Sequence, residues 1–330
     1  MLYNFFCSFN ILFSFSITFL KPWYVTSLII KECNNLNNVN EADLLNIAKS
    51  IVPEMCGKHK GEAGKIGVIG GSTEYTGAPF FAAITALKVG ADLVYVITSE
   101  NAAPVIKTYS PDLIVLPQPT AFDLREILAR LHVVIIGPGL GRNPDSLKLV
   151  YDVIEMCKDL KKPLVIDADG LYAIYKNVSV LIDYPGPGAV LTPNHIEAQR
   201  LKVAISSQNK TWYKFWGDNV SILEKGAKDQ FHTAVPNLNW TLSEGGSCRR
   251  AGGQGDILAG ALGAFLNWGL KTNICECNQT IQISQSVAAF AAAKFTRTCN
   301  ALAFQKHGRS MLASDMLQVI HSSFESLFSF

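Results

Sequence analysis

The chain has 330 residues, 48% of them apolar and 17% charged, and its net charge is +2. That composition excludes a disordered chain, and a charge so small and dispersed argues against a nucleic-acid partner. The length accommodates two domains, or one large α/β domain of about 280 residues behind an N-terminal extension; the alternation of strands and helices favours the single domain.

Residues 1–42 read as that extension: an apolar stretch over 2–30, then the Asn-rich linker 34–40. No basic residue precedes the apolar run, as a signal peptide requires, and no arginine marks a mitochondrial presequence. Ser8, Asn10, Ser14, Ser16 and Thr18 make it a poor membrane span. A divergent targeting segment or a mis-assigned start is expected, with a cytoplasmic or mitochondrial location and no stable membrane partner.

The folded domain is expected over 43–330. Short apolar runs predict strands at 65–70, 93–98, 113–116, 132–136, 164–167, 189–191 and 220–224, with weaker strands at 231–235 and 239–242. Helical patterns fall at 78–89, 122–130, 144–160, from Asn194 onward, and at 257–268, 281–298 and 311–327. Strands alternating with helices indicate a mostly parallel central sheet with helices on both faces. Ligands of such sheets sit at the carboxyl ends of the strands. The eight cysteines form no CxxC pair and Cys275-x-Cys277 stands alone, so free thiols are expected rather than a zinc site.

The most informative stretch is RRAGGQGDILAG, Arg249 to Gly260. Gly252, Gly253 and Gly255 let backbone amides approach an anion, and the helix beyond them points its positive end at it. Asp256 at that mouth suits a base that takes a proton from a hydroxyl attacking a phosphate. The alternative is that Asp256 caps the helix.

Other turns close the remaining strands. GGSTEYTG after the first strand lacks GxGxxG, which weakens a dehydrogenase reading; a substrate-contacting turn or a plain turn remains. GPGLGR ends another strand with glycines suited to close ligand approach. Asp167 and Asp169 end a third, where they would meet a metal or a substrate hydroxyl, or cap the next helix. In TPNHIE, Asn194 and Glu197 share a helix face and would either hold a hydrated Mg²⁺ or form a capping box. Lys225 ends the 220–224 strand and would reach phosphates or mark a charged hairpin tip.

Taken together, the YTGAP, GPGLGR, IDADG, TPNH, EKGAKD and RRAGGQGD segments resemble the ATP-dependent NAD(P)H-hydrate dehydratase family, a branch of the ribokinase-like fold. The resemblance spans about 64–266. It implies a three-layer ribokinase-like sandwich and a lyase that uses ATP and Mg²⁺ to dehydrate the S-form of NADH or NADPH hydrate (NADHX, NADPHX). It implies Asp256 as general base and substrate contact. ATP would be bound by Lys225, Gly226, Ala227, Lys228 and Asp229, and by Gly246, Ser247, Cys248, Arg249, Arg250, Ala251, Gly252, Gly253, Gln254 and Gly255. The hydrate would meet Gly141, Asn194, His195, Ile196, Glu197, Ala198, Gln199 and Arg200, with Glu197 a candidate for holding the metal through water. A functional partnership with a hydrate epimerase is implied, and a homo-oligomer is compatible. Two departures stand out: Ala198 replaces an aromatic residue common in the family, and 201–220 is short, with KTWYKFW in place of an amphipathic helix. A missing helix there would expose sheet surface. The alternatives are a ribokinase-like small-molecule kinase, such as a hydroxymethylpyrimidine kinase, and a catalytically impaired nucleotide-binding relative.

Overall fold

A computed structural model describes residues 40–118, 120–206, 211–274 and 279–329. Residues 1–39 of the N-terminal extension and the Cys275-x-Cys277 pair lie outside the described residues, and the last residues of the expected extension, 40–42, instead cap and open the first helix. The domain begins with helix α1 (Glu41–Ser50), capped by the Asn40 side chain.

The sheet has nine strands: β1 (Lys65–Ile69), β2 (Leu93–Thr98), β3 (Ile114–Pro117), β4 (Val133–Ile136), β5 (Leu164–Ile166), β6 (Ala189–Leu191), β7 (Val220–Glu224), β8 (Asp229–His232) and β9 (Trp240–Leu242). Their order is β3-β2-β1-β4-β5-β6-β7-β8-β9. The first seven pair in parallel and the last two antiparallel. The strands fall where the apolar runs place them, with β8 starting two residues early.

Side chains alternate between two cores, as the two-residue strand period requires. Ile66, Val68, Val133, Ile135, Val165 and Val190 face one. Ile69, Val134, Ile136, Leu164, Ile166 and Leu191 face the other. The first core is covered by α1, α2 (Gly77–Val89), α3 (Ala102–Tyr109) and a carboxyl-terminal set of helices. The second is covered by α4 (Ala121–Arg130), α5 (Pro144–Asp159), α6 (Ala168–Lys176) and α7 (His195–Ala204).

In the carboxyl-terminal set, α8 (Gln254–Lys271) is buried on every side from Ile257 to Gly269. An all-round apolar sequence demands that position. It lies between α2 and α9 (Thr280–His307). The expected 311–327 helix breaks at Val319 into α10 (Ala313–Gln318) and α11 (Ile320–Phe328). Helix α3 is absent from the sequence-based pattern, and it carries Pro104; the proline stands in the first turn, where its missing N–H costs nothing.

The short 201–220 segment does not expose the sheet as expected. After α7 the chain forms a 3₁₀ turn (Trp212–Trp216) whose Trp212, Tyr213 and Trp216 are buried. They join Leu191, Leu201, Val220 and Ile222 in the second core, so three aromatic rings replace a helix face. Trp216 is fully buried and its indole N–H donates to the Val178 carbonyl at 2.7 Å. Trp216→Ala should therefore lower folding stability by about 3–5 kcal/mol, as loss of a buried aromatic does. Urea unfolding checks this; a loss below about 1 kcal/mol would mean that the turn is not part of the core.

Candidate active site

The site forms where hydrogen-bonded ladders run past the carboxyl ends of the strands. Gly70 donates to Ile97, Gly137 to Ile69, Asp167 to Ile136, Thr192 to Ile166 and Lys225 to Pro193, all through backbone amides at 2.8–3.1 Å. Each loop therefore leaves the sheet at a fixed height. Gly137 cannot carry a side chain, because a Cβ there would stand 1.8 Å from the Asp167 carbonyl oxygen. That close approach locks the β4 loop to the start of α6.

Helix α8 points its N-terminus at this edge. Its N-cap is Gly253, at φ +92, so Asp256 is not the cap; it stands in the first helical turn. Ile257 donates to the Gly253 carbonyl, whereas the Gln254, Gly255 and Asp256 amides have no protein partner among the described residues. They form the anion-attracting end of a helix dipole. The Asp256 carboxylate likewise has no hydrogen bond or ion pair there. It keeps some contact with solvent, yet burial raises its pKa from 3.8 to about 8, assisted by the charges of Asp167 and Asp169 and opposed by Lys225.

Lys225 reaches Asp167 at 2.6 Å, beside the α8 N-terminus. Burial acts against its charge, but Asp167, Glu197 and Asp256 outweigh burial and hold it protonated. Asp169 serves the other side: it accepts from the Gly141 amide at 2.9 Å and from Arg142 Nε at 2.8 Å. Between the two aspartates Ala168 adopts φ +48. That left-handed backbone, costing about 1–2 kcal/mol for a non-glycine residue, separates the two carboxylates toward different partners.

Helix α7 distributes its residues by face. Asn194 and Glu197 form the capping box: each side chain accepts from the other's amide, at 3.0 and 2.8 Å. Burial nevertheless raises the Glu197 pKa, against Lys225 and the Asn194 amide. His195 lies against Glu224 and Gln199. Ile196 is exposed, and Glu197 and Arg200 share a cavity. Ala198 is turned fully into the second core, which corrects its expected place on the substrate wall.

The proposed nucleotide loops are tied to α9 by residues that no local sequence signal announced. Buried Arg297 donates to Asp229 at 2.6 Å and to the carbonyls of Gly226, Ala227 and Gly245. Asp229 also accepts from the Gly226 amide, so its carboxylate is turned inward and shapes the loop instead of facing a ligand. Asn300 accepts from the Ser247 amide and donates to the Arg249 carbonyl. Arg249 also donates to Met311, Arg250 to Gly226, and Gln254 to Arg249. The exposed Cys248 and Gly252 edge the same loop on either side of Ala251, and the exposed Lys228 stands on the turn before β8.

A mostly parallel sheet flanked by helices, with a glycine-capped helix aimed at its carboxyl edge, matches the ribokinase-like fold. A ribokinase-like superfamily protein of Enterococcus faecalis shares the fold at a TM-score of 0.68, over 88% of this chain and 96% of that one, with 20% identity. The Bacillus subtilis ADP/ATP-dependent NAD(P)H-hydrate dehydratase, co-crystallized with ATP and Mg²⁺, does so at 0.64 over 87% and 97%, with 20% identity. The family model for NAD(P)H-hydrate dehydratase matches residues 66–322. The ATP-dependent (S)-NAD(P)H-hydrate dehydratase of Aedes aegypti is 47% identical over 88% of this chain and 86% of its own length. The chain belongs to the NAD(P)H-hydrate dehydratase family.

The raised pKa of Asp256 has a measurable consequence. Its favourable contribution to stability is complete below pH 3.8, declines as pH rises, and is gone above about pH 8. Asp256→Asn removes that loss, so the variant should melt above wild type at pH 8–9, with the gap closing toward pH 5. A gap independent of pH in thermal melts would refute the shifted carboxyl.

Proposed function

We infer that the protein is an ATP-dependent NAD(P)H-hydrate dehydratase, a lyase that restores NADH or NADPH from the (S)-hydrate with release of ADP and phosphate. The observation that carries this reading is the unpaired Asp256 carboxyl beside three unpartnered amides at one helix end, in a chain of the NAD(P)H-hydrate dehydratase family.

The hydrate bears water at C6 of the nicotinamide ring, and hydroxide is a poor leaving group. Asp256 takes the C6 hydroxyl proton as that oxygen attacks the γ-phosphorus of ATP, which is consumed as a substrate. An O–P bond forms and the bond to ADP breaks. Amides 254–256 stabilise the charge on the transferring group. The C6–O bond then breaks with phosphate leaving, pushed by the ring nitrogen lone pair, and loss of a C5 proton restores the double bond.

Lys225, Arg249 and Arg250, with the 226–228 and 246–255 loops, supply the positive charge and amides that the triphosphate needs. Asn194 to Glu197, Gln199, Arg200 and Gly141 border the hydrate. Among the described residues no three His, Cys, Asp or Glu side chains form a metal cage. This donor set fits Mg²⁺, which keeps several waters and is carried largely by phosphate oxygens; when bound it neutralises their charge. Glu197 and Asp167 are the carboxylates placed to hold its waters. Because only one epimer is consumed, full repair calls for an epimerase acting on the other; that partnership and a homo-oligomeric assembly are part of the same proposal.

The test is recovery of reduced-nicotinamide absorbance from NADH hydrate with ATP and Mg²⁺, alongside free phosphate. A phosphorylated organic product without free phosphate would convert the reading to a small-molecule kinase. Asp256→Asn should lose turnover by at least about 100-fold while retaining ATP binding by calorimetry; near wild-type activity would remove Asp256 as base. In wild type, kcat/KM should rise with pH through an acidic limb set far above the usual carboxylate range, since the base must be ionised. Asp167→Asn deletes a neighbouring negative charge and should move that limb to lower pH.

A further inference from the structure

Beyond Asp169 lies a small cavity that the reaction chemistry leaves unused. Arg142, Tyr172, Tyr175, Glu197 and Arg200 line it, and its enclosed space is only about 10 Å³, roughly what one water needs. A phosphate group would therefore lie across its open mouth, against the side chains that rim it, and not inside it. Arg142 donates its Nε to Asp169 and lies over the Tyr172 ring, 4.7 Å from its centroid. The ion pair and the ring fix the guanidinium plane; its two terminal nitrogens make no hydrogen bond among the described residues, and its charge acts on Glu197 across the cavity. Arg200 likewise has no hydrogen bond or ion pair there, and it enters the cavity from α7. Lys176 adds a third cation, 5.3 Å from the Tyr172 ring and 5.5 Å from Tyr175.

We propose that Arg142, oriented by Asp169 and Tyr172 and facing Arg200, is a phosphate-binding fork for the adenylate half of the dinucleotide hydrate. This rests on the dehydratase reading and extends it to a specificity-determining residue. Two observations place the fork on the hydrate rather than on ATP. Asp169 joins Arg142 to Gly141 on the β4 loop, which two strands, β5 and β6, separate from the β7 loop that carries Lys225. The cavity also shares Glu197 and Arg200 with the α7 face that borders the hydrate. A planar fork with an engaged Nε and two free N–H₂ groups matches phosphate oxygens in pairs, which a lysine cannot reproduce. Both hydrates carry a pyrophosphate, and NADPHX carries a 2′-phosphate besides; the fork chemistry serves either.

The experiment is steady-state kinetics of wild type, Arg142→Ala and Arg142→Lys with NADHX and with NADPHX. Arg142 is half-exposed, so both variants should fold, and thermal melts verify it. Arg142→Ala should raise the hydrate KM by about 10- to 100-fold, the range for a lost hydrogen bond to a charged group. The kcat and the KM for ATP should stay within about twofold, because the contact is equal in ground and transition states. Arg142→Lys should recover only part of the loss. An equal effect on both hydrates assigns the fork to the pyrophosphate; an effect confined to NADPHX assigns it to the 2′-phosphate. Unchanged KM for both hydrates, or a rise in the ATP KM instead, overturns the proposal. Titration of wild type and Arg142→Ala with intact NADPH reads the same contact without turnover. An inactive wild type would thus sink the dehydratase reading while this contact was still tested.

Discussion

The ion pair between Lys225 and Asp167 is the contact on which the rest of the site depends. It joins the β7 loop, on the nucleotide side, to the end of β5, and it does so beside the N-terminus of α8. Asp167 is almost wholly removed from solvent and Lys225 largely so. Removing one partner of such a pair strands the other charge, at about 3–5 kcal/mol. The pair also sets its neighbours: Asp167 raises the Asp256 pKa while Lys225 lowers it, and both act on Glu197. One bond therefore ties a loop to the sheet edge, stands beside an anion-attracting helix end and shifts the Asp256 carboxyl.

Around that pair the fold separates rigid from adjustable parts. Helix α8 is embedded in the first core and cannot shift without disturbing α2 and α9. The loops that would cover a triphosphate owe their shape to Arg297, whose guanidinium gathers one carboxylate and three carbonyls. Four acceptors around one planar cation leave the loop few other conformations. Asp229 belongs to this scaffold, and its residue type alone gave no hint that it faces inward.

Most strands and the major helices are legible in the sequence because buried parallel strands are short apolar runs closed by glycine or a carboxylate. Gly70, Gly137, Asp167 and Lys225 all stand where those runs stop, so the edge that carries the site is marked in the sequence itself. The hidden parts depend on distant contacts. Arg297 sits in the middle of an apolar helix, and only packing reveals why a charge is tolerated there. Helix α7 shows the same limit: spacing places Asn194 and Glu197 together, but not that Ala198 faces the core while Arg200 lines a cavity with Arg142. The aromatic turn at 212–216 conforms to no helical period, and its function as a plug comes from the gap it fills.

A site shaped for phosphoryl transfer performs an elimination because the phosphorylated carbon lies next to an electron-donating nitrogen. A carboxylate with the ordinary pKa of 3.8 would hold a hydroxyl proton weakly; one raised to about 8 by burial and by two neighbouring aspartates holds it better. The helix end itself stays partly exposed, so its amide dipoles act on phosphoryl oxygens with less competition from water once a bound ligand displaces it. Once the oxygen at C6 carries phosphate, the leaving group is already activated and the adjacent ring nitrogen supplies the electron pair. No additional protein acid is then required for the C–O bond to break. The difference between a kinase and a lyase on this scaffold lies in the carbon that receives the phosphate, and hence in the residues that choose the acceptor. In the proposed site those residues belong to the β4 loop, α6 and α7, whose Asp169 also acts on the Asp256 carboxyl.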